Sequence, residues 1–226
     1  MSLNISTGNM YEFVTHTWNT VKGECFHDCS YCYMKRWGKL NPVRFDEREL
    51  KTNLGTGNFI FVGSVCDMMA ENIPEEWILK TIEHAAKYDN RYLFQTKNPR
   101  RFFDFENEFK GLNMAIRTTI ETNRIYPEIM RASPPPATRA DIMNELGHEF
   151  INVENFVTIE PILDFDIDEM AFLIETALPK QVNIGADTGK HNLPEPPAAK
   201  VLELIHRLKK FTIVYPKKNL TRILNS

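Results

Sequence analysis

Apolar and polar positions along the chain predict strands that alternate with helices. Short apolar runs that end at a glycine or polar residue are typical of buried parallel strands, and residues 58–62, closed by Gly63, are the clearest example. Longer stretches with helical spacing lie between these runs, and several follow a proline. The predicted strands are 12–18, 58–62, 91–95, 114–120, 156–159 and 181–184, with 212–215 as a candidate seventh; the predicted helices are 75–88, 137–146, 167–177 and 198–210.

This alternation predicts an α/β fold with a parallel sheet and right-handed crossovers. Six such units fill most of a barrel but not the usual eight. We therefore expect a partial parallel (β/α)6 TIM-like barrel, formed as a single domain over residues 1–226. The proline run at 133–136 is typical of a rigid connector.

Composition and charge fit a folded protein without a general attraction to nucleic acid. Of the 226 residues, 42% are apolar and 25% are charged, and the net charge is only −3. Binding to nucleic acid would therefore need a local basic patch. No uncharged apolar run reaches the roughly 18 residues of a membrane span, and residues 1–10 lack the pattern of a secretory signal. We expect a cytoplasmic protein.

Polar or reactive residues follow the carboxyl end of each predicted strand. In a parallel barrel these ends meet at one rim, where catalytic loops gather. Strand ends are also polar simply because they leave the core, so no single residue is decisive. The residues are Cys25, Cys29 and Cys32 after the first strand, then Gly63, Ser64, Cys66 and Asp67, then Gln95 to Lys97, then Thr118, Thr119 and Glu121, then Glu160, and finally Gly185 and Asp187.

Three of the four cysteines lie within eight positions of one loop. This clustering does not fit a disulfide scaffold and indicates metal or redox chemistry. Thiolates select soft metals and iron–sulfur clusters, and three of them leave one iron of a cubane without a protein ligand. Zinc remains an alternative, although structural zinc sites usually have four ligands in two separated pairs.

The cysteine loop resembles the signature of the radical S-adenosylmethionine (SAM) superfamily: a cysteine, three residues, a cysteine, one residue, an aromatic residue and a cysteine. The aromatic residue here is Tyr31, and the tyrosines on both sides of Cys32 resemble the spore photoproduct lyase branch. The stretches 61–64 leading to Asp67, 95–99, 158–163 and 185–189 resemble a small, often phage-borne family related to that branch.

The resemblance implies an enzyme in which a 4Fe–4S cluster reductively cleaves SAM to a 5′-deoxyadenosyl radical, which abstracts hydrogen from a substrate. It also implies an electron donor such as a flavodoxin or ferredoxin. The substrate stays open among nucleic acid, peptide and small metabolite. A non-catalytic iron–sulfur or zinc-binding module is the alternative from another functional class.

The resemblance also implies roles for residues at the strand ends. The two tyrosines would line the adenine and sulfonium side of SAM, and the glycine–serine pair would approach its amino group. Lys97 would pair with the SAM carboxylate, unless it is a surface lysine, and Thr119 or Glu121 would bind the ribose hydroxyls. The expected cofactor-binding residues are Tyr31, Tyr33, Gly63, Ser64, Lys97, Thr119, Glu121 and Glu160.

The chain departs from the photoproduct lyases at the cysteine that returns a hydrogen atom to the product. Ser64 stands at that position, and the remaining Cys66 directly precedes Asp67. The departure puts photoproduct repair in doubt. Cys66 is either a catalytic hydrogen donor or a small buried residue, which is the commoner role of a lone cysteine.

Overall fold

A computed structural model describes residues 3–150 and 153–225. Its strands are β1 Asn4–Ile5, β2 His16–Trp18, β3 Val21–Lys22, β4 Arg44–Phe45, β5 Phe59–Val62, β6 Arg91–Thr96, β7 Met114–Thr119, β8 Glu154–Ile159, β9 Gln181–Ile184 and β10 Ile213–Pro216. Its α-helices are α1 Glu75–Ala85, α2 Glu106–Phe109, α3 Pro127–Met130, α4 Pro136–Glu149, α5 Ile167–Thr176, α6 Ala198–Leu208 and α7 Thr221–Leu224. Short 3-10 helices span Tyr33–Trp37, Glu47–Lys51, Pro99–Phe105 and Lys218–Leu220.

The described strands form one eight-stranded sheet in the order β1-β2-β5-β6-β7-β8-β9-β10, and β3 pairs with β4 separately. Strand β1 runs antiparallel to β2, whereas all the later neighbours in the large sheet are parallel. The sheet does not close, since β1 and β10 are its two edges. The predicted α/β fold with a partial parallel barrel is confirmed.

Both faces of the central strands are covered, which explains why they appear in the sequence as apolar runs. The outer face packs against the helices through residues such as Ile60, Phe94 and Ile116. The inner face packs against the chain segment that precedes β2, through a cluster of Tyr11, Val14, Phe61, Leu93, Ala115 and Phe156. We call residues 9–14 the covering segment. All six residues of β7 are consequently buried.

The first predicted strand is wrong in length, and the candidate seventh strand is confirmed. The first strand of the parallel set is short, His16–Trp18, because the apolar positions before it belong to the covering segment. The candidate seventh strand is real and extends the sheet as β10, parallel to β9. Within the described ranges, no helix is both long enough and apolar enough to cross a membrane.

Candidate functional site

The cysteine loop leaves β3 and lies at the carboxyl end of the parallel strands. Two tight turns fold it, in which the amide of Asp28 donates to the Cys25 carbonyl and the amide of Cys32 donates to the Cys29 carbonyl, each at 3.1 Å. Asp28 takes a positive φ of 48°, a conformation that aspartate tolerates better than most residues. All three cysteines are free thiols. The turns present three sulfurs from one short loop.

The sulfurs lie close enough to influence one another electrostatically. Burial raises the pKa of Cys32, and the charges of Cys25 and Cys29 raise it further. The pKa of Cys25 is lowered, chiefly by a hydrogen bond from the Cys66 thiol. This coupling is the expected result of bringing several thiols to one place.

The segment that leads into the proline run supports this loop from outside. The amide of Ser30 donates to the Ile129 carbonyl at 2.9 Å, and the amide of Ala132 donates to the His27 carbonyl at 3.2 Å. The Ser133 hydroxyl lies 3.3 Å from the Cys29 sulfur. The residues just before the predicted connector, together with Ser133 at its start, therefore hold the cysteine loop in position.

Three of the predicted residues meet beside Cys29. Lys97, just beyond β6, donates to the Cys29 sulfur at 3.2 Å and to Glu121 Oε1 at 2.6 Å. The Tyr31 hydroxyl contacts both Lys97 and Glu121, and the lysine ammonium lies 4.4 Å from the Tyr31 ring centroid. Lys97 is thus not a surface lysine. Tyr31, Lys97 and Glu121 form one cluster at the rim, in which Glu121 is buried and the other two are partly buried; we call it the rim cluster.

A second cation, Arg139 on α4, holds Glu121 from the opposite side. Its Nη2 donates to Glu121 Oε2 at 2.9 Å, and its Nη1 donates to the Thr119 carbonyl. Burial alone would raise the pKa of Glu121, but the charges of Arg139 and Lys97 hold it well below its usual range. Glu121 is therefore ionised although it is fully buried. The Thr119 hydroxyl lies 3.5 Å from Gln95 Nε2, beside this network.

Asp67 ties the cysteine loop to the strands. Its Oδ2 lies 2.9 Å from His27 Nε2 and accepts at the same distance from the Thr96 hydroxyl and the Lys97 amide. Burial would raise the pKa of Asp67, but the hydrogen bond to His27 and the histidine charge lower it. The sequence marked Asp67 as a strand-end residue within a family stretch and assigned no role to His27. Neither pattern predicted that they would contact each other.

Gly63, Ser64 and Tyr33 form another neighbourhood at the rim. Gly63 has a φ of +76°, and a Cβ there would lie 3.1 Å from the Cys66 carbonyl, so the turn after β5 favours glycine. The Ser64 hydroxyl donates to Asn19 Oδ1 at 3.1 Å, and the Ser64 carbonyl accepts a hydrogen bond from the Tyr33 hydroxyl. The Tyr33 ring is partly exposed and packs against Trp37.

Solved structures of spore photoproduct lyase match this architecture over almost the whole chain. One mutant matches with a TM-score of 0.65 at 10% identity, covering 95% of this chain and 80% of that chain. A cysteine-to-serine mutant matches with a TM-score of 0.64 at 12% identity, covering 94% and 79%. The chain has the fold of spore photoproduct lyase. At these identities the likeness is one of fold.

A further spore photoproduct lyase structure, a mutant with bound AdoMet and dinucleoside spore photoproduct, matches with a TM-score of 0.55 at 13% identity. It covers 92% of this chain and 66% of that one. No protein-family model matches the sequence, and no curated protein matches it either.

Two predicted residues lie apart from the rim cluster. Cys66 is buried, with its sulfur 3.9 Å from the Glu24 carbonyl oxygen, and it lies close enough to Cys25 to lower the pKa of that thiol. Glu160 is bound by groups from both ends of the chain: Asn9 and Asn219 donate to it at 2.8 Å and Lys217 at 2.5 Å. No hydrogen bond among the described residues joins Glu160 to the rim cluster.

The kinds of residue present, rather than their arrangement in this structure, fit the iron–sulfur cluster that the cysteine spacing predicts. Three free thiols share one loop, and Lys97 and His27 supply positive charge beside them. The fourth cysteine lies outside the loop. Within residues 3–150 and 153–225, no group of three or more histidine, cysteine or acidic side chains is arranged to hold a metal ion.

Proposed function

We propose that this protein is a radical SAM enzyme whose 4Fe–4S cluster is held by Cys25, Cys29 and Cys32. The observation that carries the proposal is the position of three free cysteines on one loop at the carboxyl rim of a partial parallel barrel. The chemistry that such a cluster supplies when bound is one-electron reduction of SAM to give a 5′-deoxyadenosyl radical. The spore photoproduct lyase fold, one example of which contains AdoMet, supports the proposal.

The rim cluster would bind the amino-acid end of SAM. Lys97 is next to Cys29 and is a cation that a carboxylate can approach. If Lys97 turns to that carboxylate, Glu121 keeps Arg139 as its partner and no buried charge is left alone. Glu121 then offers one oxygen to a ribose hydroxyl. Tyr31 and Tyr33 would line the adenine side, and Gly63 with Ser64 the amino group, with Thr119 and Glu160 as further contacts.

Asp67 and His27 would act as positioning residues. Their contact fixes the middle of the cysteine loop against the ends of β5 and β6. A loop held at several points keeps its sulfurs in place when a cluster binds or a substrate enters. Cys66 remains a proposed hydrogen donor, and its burial against Cys25 makes a structural role equally consistent with its surroundings.

The proposal extends to partners. Neighbours of the same fold bind a dinucleoside photoproduct, which supports a nucleic-acid substrate for this chain. Free thiols and an oxygen-sensitive cluster suit a reducing, cytoplasmic location, with a flavodoxin or ferredoxin as electron donor. We also propose membership of the small, often phage-borne family that the sequence resembles.

Anaerobic reconstitution tests the function. The protein should take up about four irons per chain and, with dithionite and SAM, release 5′-deoxyadenosine. Cys29→Ser should lose both properties, whereas Phe26→Ala, in the same loop but at a partly exposed ring, should keep them. One tightly bound zinc per chain, with no iron uptake and no SAM cleavage, would instead support the non-catalytic module.

A further inference from the structure

Arg117 on β7 is a fully buried arginine that makes no hydrogen bond of ordinary geometry to the described residues. None of its surface is exposed, and although the Tyr11 side chain lies close enough to act on its charge, the Nε, Nη1 and Nη2 atoms have no well-formed partner there. A guanidinium that leaves water without finding acceptors costs free energy, so proteins rarely bury one in this state. Burial also lowers the pKa of Arg117. The arrangement needs an explanation beyond folding.

The surroundings of Arg117 are aromatic. Its guanidinium carbon lies 3.8 Å from the Tyr11 ring centroid, 5.1 Å from that of Phe156 and 5.4 Å from that of Phe13. Contact with ring faces compensates part of the lost hydration. Phe156 belongs to the neighbouring strand, in register with Arg117, whereas Tyr11 and Phe13 belong to the covering segment.

No anion among the described residues forms an ion pair with Arg117. The carboxylate that acts on its charge is Glu160, which already accepts hydrogen bonds from Lys217, Asn9 and Asn219. Lys217 adds a second cation near the same aromatic ring, 4.8 Å from the Tyr11 centroid. Around the Tyr11 ring, the inner face of the sheet therefore carries two cations, Arg117 and Lys217, and one carboxylate, Glu160. An external anion would supply the missing partner.

Another unpartnered polar atom lies on the same face. Side chains alternate between faces along a strand, so Thr158 shares the inner face with Phe156 and is one step nearer the rim. Its buried hydroxyl has no partner in the described part of the chain. Arg117 lies two residues before the end of β7, about 7 Å along the strand. Both groups are thus within reach of a molecule that enters from the rim.

We propose that the inner face of the barrel is the substrate pocket and that Arg117 binds a phosphate group of a nucleotide-sized substrate there. This inference rests on the proposed function, which requires a substrate at the carboxyl rim. The guanidinium fork matches the oxygen geometry of phosphate, and aromatic rings beside it suit stacking with a base. Because Arg117 is covered, Tyr11 and Phe13 must withdraw when the substrate enters.

Binding of small probes to the full chain, purified anaerobically with and without reconstituted iron, tests the proposal. The probes are the four deoxynucleoside 5′-monophosphates, the matching neutral nucleosides, and benzoate as a carboxylate that carries a ring. Isothermal titration should show the monophosphates binding at least about tenfold more tightly than the nucleosides, the expected size of a charge-assisted contact. Benzoate should bind more weakly than the monophosphates.

Arg117→Met should remove the preference for monophosphates, and Arg117→Lys, which keeps charge but loses the fork, should weaken it. The matched control is Arg91→Met on neighbouring β6, where the arginine also lies over an aromatic ring, Phe59, but is paired with Glu154. That variant should bind the probes like the parent. If Arg117→Met does not fold, Arg117→Lys alone decides the result.

Three outcomes would overturn the proposal: no monophosphate binding by the parent, equal binding by the parent and both Arg117 variants, or tighter binding of benzoate than of any monophosphate. The proposed function is measured separately in the same preparation, as release of 5′-deoxyadenosine from SAM without any probe. Loss of that release with intact phosphate binding would refute the proposed radical chemistry and leave the anion site standing.

Discussion

Arg117 and Arg139 are both completely buried, yet they have opposite surroundings. Arg139 lies on the outer layer, and two of its three nitrogens bond to Glu121 and to the Thr119 carbonyl. Arg117 lies on the inner layer among aromatic rings, and none of its nitrogens bonds to a described residue. A buried arginine thus stabilises the fold at position 139 and destabilises it at position 117.

The contrast between the two arginines separates a structural role on the outer face of the sheet from a binding role on the inner face. A buried charge whose partner belongs to the chain fixes a network in one geometry, as Arg139 does for the rim cluster. A buried charge without a partner lowers stability, and proteins retain such charges at sites where a ligand supplies the partner. The inner face is therefore where a ligand is expected, and the outer face is where the fold is secured.

Removing Arg139 should have the largest effect on stability. Arg139→Met leaves Glu121 with Lys97 as its remaining cationic partner and frees the Thr119 carbonyl. Loss of one partner of a buried ion pair typically costs about 3–5 kcal/mol in the free energy of unfolding. Urea denaturation followed by circular dichroism measures this loss. A loss below about 1 kcal/mol would mean that the pair contributes little.

Removing Arg117 should act in the opposite direction. Arg117→Met replaces an unpartnered buried charge by an apolar side chain of similar length among aromatic rings. Such exchanges are often neutral or stabilising by about 1–4 kcal/mol. The same urea titrations, without nucleotide present, should therefore show equal or higher stability. A loss of more than about 2 kcal/mol would show that the cation–π contacts outweigh the burial cost.

Lys97 combines the two situations, because it is paired with Glu121 like Arg139 but also contacts the Cys29 sulfur at the proposed cofactor site. In Lys97→Met, Glu121 retains Arg139, so the variant should fold and keep its iron content. Binding of SAM to the reconstituted protein should weaken about ten- to hundredfold, the value of a charge-assisted contact of about 1.5–3 kcal/mol. Spectroscopic titration with SAM measures it. Lys87→Met, at an exposed lysine on the surface, is the control and should bind SAM normally.

Glu154 gives the smallest expected effect, since its pair is near the surface. Burial would raise its pKa, but Lys180 and Arg91 together lower it below the model-peptide value of 4.5. A carboxyl with a lowered pKa stabilises the folded state above pH 4.5, and this contribution is lost as the pH falls below that value. Glu154→Gln should remove this part of the pH dependence, worth at most about 1 kcal/mol. An unchanged acid profile would contradict the pairing.

The fold was predictable because burial on both faces makes the strands apolar throughout. The run at 58–62 became β5 at Phe59–Val62, and 181–184 became β9 with the same bounds. The first strand was predicted too long because Phe13 and Val14, just before it, are apolar like the residues of a buried strand. In the structure they belong to the covering segment and pack on the inner face.

The site was predictable only where the chemistry is local in sequence. The cysteines share one loop, so their spacing carries information; their role as ligands, and the other assigned SAM contacts, stay predictions. Arg139 could have been found, since Pro136, Ala140 and Met143 mark the same buried side of α4. Arg117 could not, because its surroundings come from residues far away along the chain and nothing beside it in β7 signals them.

The covering segment acts as an intramolecular competitor, because it occupies the pocket in which we propose that the substrate binds. The ring face of Tyr11 covers the Arg117 guanidinium, and the Tyr11 hydroxyl donates a hydrogen bond to Gln95 at 2.7 Å, so any incoming nucleotide competes with this side chain. In such a competition the apparent dissociation constant equals the intrinsic one divided by the fraction of molecules with the pocket uncovered. Weakening the segment should therefore tighten nucleotide binding without any new contact, and strengthening it should select for substrates that bind well enough to displace it.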